Sequence, residues 1–95
     1  AKAMASNTGW NSSTNTGAPG NDQSLNNDSG FNAFPEGFRS YNGSFYNEGN
    51  NAVFWSSTEY ITDSAWNRDL FNYDSNLFRY NVNKRMGFSV RFVRD

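Results

Sequence analysis

The stretch that decides the reading is residues 54–95, FWSSTEYITDSAWNRDLFNYDSNLFRYNVNKRMGFSVRFVRD. It opens with the block Trp55-Ser56-Ser57-Thr58-Glu59 and closes with Gly87-Phe88-Ser89-Val90-Arg91-Phe92-Val93-Arg94-Asp95. Between them Ala65-Trp66 and Leu70 read as framework, and nearly everything else is aromatic, Asn, Asp or Ser. Tyr and Phe supply large contact area on few rotatable bonds, and Asn and Ser supply adaptable hydrogen bonds. That composition belongs to a binding surface rather than to an enzyme cleft.

Residues 52–57 (AVFWSS) are β-branched and aromatic and predict a strand. Residues 65–70 (AWNRDL) alternate, with Trp66, Arg68 and Leu70 on one face and Asn67 and Asp69 on the other. Residues 77–82 (LFRYNV) alternate less cleanly. In residues 88–93 (FSVRFV) the alternation sends Phe88, Val90 and Phe92 inward. This half of the chain therefore predicts three or four short antiparallel strands joined by polar, aromatic connections.

Upstream, residues 1–6 (AKAMAS) fit the last turn of a helix. Residues 11–30 are almost all Asn, Ser, Thr, Gly and Asp, types that bond their own backbone in turns. They read either as a flexible linker or as an ordered loop pinned by Trp10 and Leu25. Pro35 and Gly37 punctuate a turn in FNAFPEGFR, with Phe31, Phe34 and Phe38 able to enter a core. Asn42-Gly43 signals a two-residue turn. Asn-x-Ser triplets begin at Asn11, Asn27 and Asn42, a frequency that chance produces in so Asn- and Ser-rich a chain.

Ninety-five residues make one small domain with a thin stability margin. Aliphatic residues are scarce, but the net charge is only -1 and 18% of residues are Phe, Trp or Tyr, so the core is expected to be built from rings. With no Cys and no His, disulfides, thiolate nucleophiles, the usual zinc sites and Ser-His-Asp chemistry are excluded. The near-neutral charge argues against nucleic acid as a partner. No apolar run approaches the roughly 20 residues of a membrane span. Asp63, Asp69 and Asp74 lack a metal-loop spacing and read as solvated loop acids; Phe34 and Glu36 around Pro35 are not the acid and amide pair of a calcium-dependent sugar site. No cofactor or metal is expected, and no catalytic residue.

The series Gly30 to Arg39 (GFNAFPEGFR), Gly43-Ser44-Phe45, Phe54 to Glu59, Ala65-Trp66 and Gly87 to Asp95 resembles the Fibrobacter succinogenes major paralogous domain over nearly the whole chain. The resemblance implies an α+β, C-type lectin-like fold, in the branch that also holds the formylglycine-generating enzymes. It implies a secreted, cell-surface or phage-borne protein, and a single domain over residues 1–95. The family domain normally begins earlier, with a strand and two helices, so this chain is expected to be the C-terminal portion of the fold: either the rest belongs to a longer precursor or another chain, or this version is shortened. The family often carries Cys where this chain has Phe92.

Residues 59–87 also resemble the variable region of proteins diversified by retroelements, in which adenines of Asn codons are mutated. Such codons cannot become Lys, Glu, Gln, Met or Trp. Tyr60, Ile61, Asp63, Asn67, Asp69, Phe71, Asp74, Asn76, Phe78, Tyr80, Asn83 and Arg85 are all reachable from Asn, whereas Glu59 and Trp66 are not; Lys84 and Met86 need another ancestral codon. The resemblance implies that these twelve residues form an exposed, exchangeable face binding a protein or glycan ligand. Tyr60, Phe71, Phe78 and Tyr80 would be its anchors, on a scaffold of Trp55, Trp66, Phe88, Val90 and Phe92. Competing readings are a static carbohydrate-binding or adhesion module, a structural surface-layer role, and an enzyme of the formylglycine-generating type; the last needs the cysteines this chain lacks.

Overall fold

A computed structural model describes residues 1–92. Five strands follow one another: β1 (Phe38–Arg39), β2 (Phe45–Tyr46), β3 (Asn51–Ile61), β4 (Ser64–Phe71) and β5 (Phe78–Asn83). They form a two-stranded sheet, β1-β2, and a three-stranded sheet, β3-β4-β5, all pairs antiparallel. The expected α+β class does not hold. Among the described residues there is no α-helix, and the one helical element is a three-residue 3₁₀ turn at Gln23–Leu25. The reason is chemical: the upstream half is Asn, Ser, Gly and Asp, whose side chains compete with helical hydrogen bonds.

The three longer strands arise where β-branched and aromatic residues concentrate. β3 and β4 are joined through Thr62-Asp63, with Ala52 opposite Leu70 and Trp55 opposite Asn67. Past Trp55 the register slips twice before Ile61. The Ser56 Oγ accepts a hydrogen bond from the Thr58 N–H at 3.1 Å, so the Ser-Ser-Thr run bonds itself where the ladder would continue. The β4–β5 connection closes on Asp74, whose Oδ1 accepts from the Asn76 N–H and Nδ2.

The segment after β5 joins the two sheets. The Gly87 N–H donates to the Arg39 carbonyl of β1 and the Arg39 N–H donates back. Two residues on, Ser89 bridges β3 in parallel, between Val53 and Trp55. Phe88 between them packs its ring 4.5 Å from Trp55 and 6.2 Å from Phe38. The strand expected at 88–93 is absent over its described part, and Val93 lies outside the described residues. Pairing ends at Ser89 because the next β3 positions are the self-bonded Ser56–Thr58. Val90 (57% exposed) and Phe92 (92%) therefore face outward, not inward, and are not scaffold. Arg91 holds this end instead, donating to the Phe31 carbonyl and lying over the Phe31 ring.

The core is small: Ala5, Trp10, Ala33, Ala52 and Leu70, flanked by Met4, Phe31 and Phe54. It lies between one face of β3-β4 and the upstream loops. Those loops are an ordered structure, not a linker, and Leu25, expected as a pin, is exposed. Polar side chains bind backbone instead. Gln23 and Trp10 bond reciprocally through the Gln23 amide and the Trp10 backbone. The buried Asn26 amide donates to the Ser6 and Pro19 carbonyls, and the Lys2 ammonium caps the carbonyls of Ala18, Asn21 and Asp22. Residues 1–5 form a single hydrogen-bonded turn, and Ala5 then bridges Ala33 in parallel. The β1-β2 hairpin closes by a longer turn than the two-residue one expected at Asn42-Gly43: the Gly43 N–H donates to the Ser40 carbonyl across Tyr41-Asn42, and the Asn42 Oδ1 accepts from the Ser44 N–H. Gly37 has φ +71°, and a Cβ there would stand 2.1 Å from the Tyr46 carbonyl oxygen, so only glycine lets β2 lie across the start of β1.

Candidate functional site

Antiparallel register decides which side chains share a face of the main sheet. Asn67 lies opposite Tyr80, Asp69 opposite Phe78, and both opposite β3's Trp55 and Val53. Phe71 continues this face by alternation. Trp66, Arg68 and Leu70 point the other way, and the Arg79 guanidinium stacks 3.5 Å from the centroid of the Trp66 ring.

The face carrying Asn67 supports an unbroken run of rings along β4 and β5. Tyr73 lies 5.4 Å from Phe71, Phe71 lies 5.3 Å from Phe78, and Phe78 stacks 5.7 Å from Tyr80. Tyr73 and Tyr80 are exposed; Phe71 and Phe78 are half-buried. Tyr73 is the member that sequence reasoning passed over, although it too is reachable from an Asn codon and sits in the turn between Phe71 and Phe78.

The remaining candidates fall into three places. Asp63, Asn83 and Arg85 meet at the far end of the sheet, around a shallow depression also lined by Thr62 and Lys84. The Lys84 N–H donates to the Asp63 carbonyl, its ammonium pairs with Glu59, and the Asn83 Oδ1 accepts from the Arg85 N–H. Tyr60 and Ile61 are exposed at the same end, but the Tyr60 ring packs edge-on against Trp66 at 5.1 Å and so belongs to the opposite face from Tyr80. Asp74, half-buried, and Asn76, exposed, bond each other in the β4–β5 turn. The twelve candidates thus do not share one face.

Asn67 and Asp69 are not on a solvent face at all. Both oppose Trp66, as alternation requires, yet only 2% of Asn67 and 8% of Asp69 is accessible. Phe38, Met86 and Phe88 form a second layer over them. Asp69 is therefore not a solvated loop acid. Burial pushes its carboxyl up to about 6, against the opposing effect of a hydrogen bond from the Asn51 amide to its Oδ1 at 3.0 Å. A carboxyl raised in the folded state binds its proton more tightly there than in the unfolded chain. Its contribution to stability is complete below about pH 4 and is lost as pH rises through about 6. Asp69→Asn keeps the shape and can still accept from Asn51. It is expected to stabilise the domain at pH 7.5 by about 1–2 kcal/mol, after discounting for the solvent that reaches the carboxylate. At pH 4 it should change nothing; paired urea melts at the two pH values read this directly.

No group of three or more Asp and Glu side chains converges as a metal site among the described residues. Among them, too, no helix is long and apolar enough to cross a membrane. No curated protein and no solved structure matches the chain. A sequence model of the Fibrobacter succinogenes major domain matches residues 2–94, almost the full length, and the chain belongs to that family.

Proposed function

We propose that this domain is a non-catalytic ligand-binding module, displayed on a bacterial surface or a phage virion. Its contact surface is the run Phe71, Tyr73, Phe78 and Tyr80, extended by the turn of Asp74 and Asn76. The observation that carries this reading is the continuity of four partly exposed rings along two adjacent strands and the turn that joins them. The core takes only one buried ring, Trp10, so this line of rings beside water does not fill it, and exposed aromatic clusters mark interaction surfaces. The ligand is a protein or a glycan, both of which stack on such rings.

The exchangeable character of the surface is the finer part of the proposal, supported by residue types between 59 and 87 reachable from Asn codons. Burial refines it. Exchange is tolerated at Tyr60, Asp63, Phe71, Phe78, Tyr80, Asn83 and Arg85, whereas Asn67 and Asp69 are held by the second layer. Sequencing the locus and its flanks across a population is expected to show substitutions at AAC or AAT codons of the first group. It should also find a near-copy template beside a reverse transcriptase. An invariant segment with no template ends the diversification idea and leaves a static adhesion module.

A further inference from the structure

The second layer over the main sheet does not close completely. Phe38, Tyr80, Met86 and Phe88 wall a cavity of about 150 Å3, with Asn67 and Asp69 also on its lining. An apolar cavity of about 150 Å3 takes a molecule the size of benzene. This one differs in its polar groups. The Asn67 Oδ1 is fully buried and accepts no hydrogen bond among the described residues. The Asp69 carboxylate has one partner among them, the Asn51 amide at Oδ1. The Asp69 carboxylate can only accept, and a buried acceptor short of donors is costly; the Asn67 carboxamide brings an acceptor and a donor. The rings of Phe38, Tyr80 and Phe88 add negative π faces and the Met86 thioether adds polarizable surface. Acceptors, one carboxylate and rings together complement a compact cation with several N–H donors on an apolar stem.

We propose that this cavity binds a protonated primary amine on a short apolar chain, from a lysine side chain of the ligand or from a free alkylamine. The inference rests on reading the domain as a binder and adds a fixed anchor beside the exposed rings, reached where Tyr80 belongs to both. A neutral alcohol offers one donor and no charge and fits less well. Asp69 is the one charged group on the lining. Tyr80 from β5 is the other titratable one; β1 contributes Phe38, β3 contributes Val53, and the segment after β5 contributes Met86 and Phe88, all uncharged.

The test is an NMR titration of the whole domain at pH 7.5 with n-butylammonium, with 1-butanol as the uncharged control, following the Asn67 side-chain amide and the Asp69 backbone. Butylammonium is expected to bind with Kd on the order of 1 mM, the range open to so few atoms. Butanol should bind at least tenfold more weakly. Affinity should fall at least tenfold in Asp69→Asn, and also in the wild type at pH 5, where the carboxylate takes up a proton; the wild-type arm needs no variant to fold. Binding of Nα-acetyl-lysine amide at the same residues supports a lysine source, and butylammonium binding without it supports a free amine. Equal binding of butanol, or no response at tenfold higher amine, overturns the proposal. Neither result bears on Tyr73, which lies off the cavity, so Tyr73→Ser alone tests the binder reading separately.

Discussion

Leu70→Ala is expected to lower the stability of this domain by about 2–5 kcal/mol, the range for truncating a buried leucine. Leu70 is 1% exposed, and its buried core neighbours are Trp10 and three alanines, Ala5, Ala33 and Ala52. Alanines have no side chain that can swing into the space left behind, so the cavity stays open and the cost falls toward the upper end. A chain of this length has a total stability of roughly 5–14 kcal/mol. The substitution therefore removes a large share of it, and the urea midpoint should drop by roughly 2 M. Val90→Ala is the matched control, since Val90 is 57% exposed beyond the last bridge and should move stability by less than about 0.5 kcal/mol. A Leu70→Ala shift as small as that of the control would show that the core lies elsewhere.

The same two residues show what the sequence makes legible. Alternation in AWNRDL placed Leu70 correctly, because a strand's period of two is a local property. The β3, β4 and β5 segments are legible for the same reason, and Asn42-Gly43 marks the place of the β1-β2 turn but not its length, which spans residues 40–44. Alternation in FSVRFV was equally clean and misled, because a strand also needs a partner, and β3 stops offering one at the Ser56–Thr58 run. Asn67 and Asp69 failed differently. Their face was right, but period says nothing about whether a second layer covers it, and that layer comes from Phe38 and Phe88, distant in sequence. The upstream loop was ambiguous because its order depends on long-range pairings such as Gln23 with Trp10 and Asn26 with Ser6, which no local pattern encodes. Of the candidate site, the rings Phe71, Phe78 and Tyr80 were named from sequence; that Tyr73 completes their run follows only from the ring geometry.

Replacing the exposed rings is expected to remove binding while leaving the fold intact. Tyr73 and Tyr80 are each about half accessible, and Tyr73 sits in a turn. Changing both to Ser stays within the residues an Asn codon reaches and leaves the alanine-lined core untouched. Aromatic residues at the centre of an interface cost about 2 kcal/mol or more each when truncated, roughly 30-fold in affinity apiece. Asp74 and Asn76 at the edge of the run should cost far less, as rim groups do. The decisive measurement is a binding screen of the wild-type domain, multivalently displayed, against glycans and bacterial-surface proteins. Each hit is then remeasured with Tyr73→Ser/Tyr80→Ser and, as a folded control, with Val90→Ala. Hits are expected to survive Val90→Ala and to weaken by at least 100-fold in the double variant. Hits that bind the double variant as tightly as the wild type would contradict the ring-surface reading, and would place the contact surface away from β4 and β5.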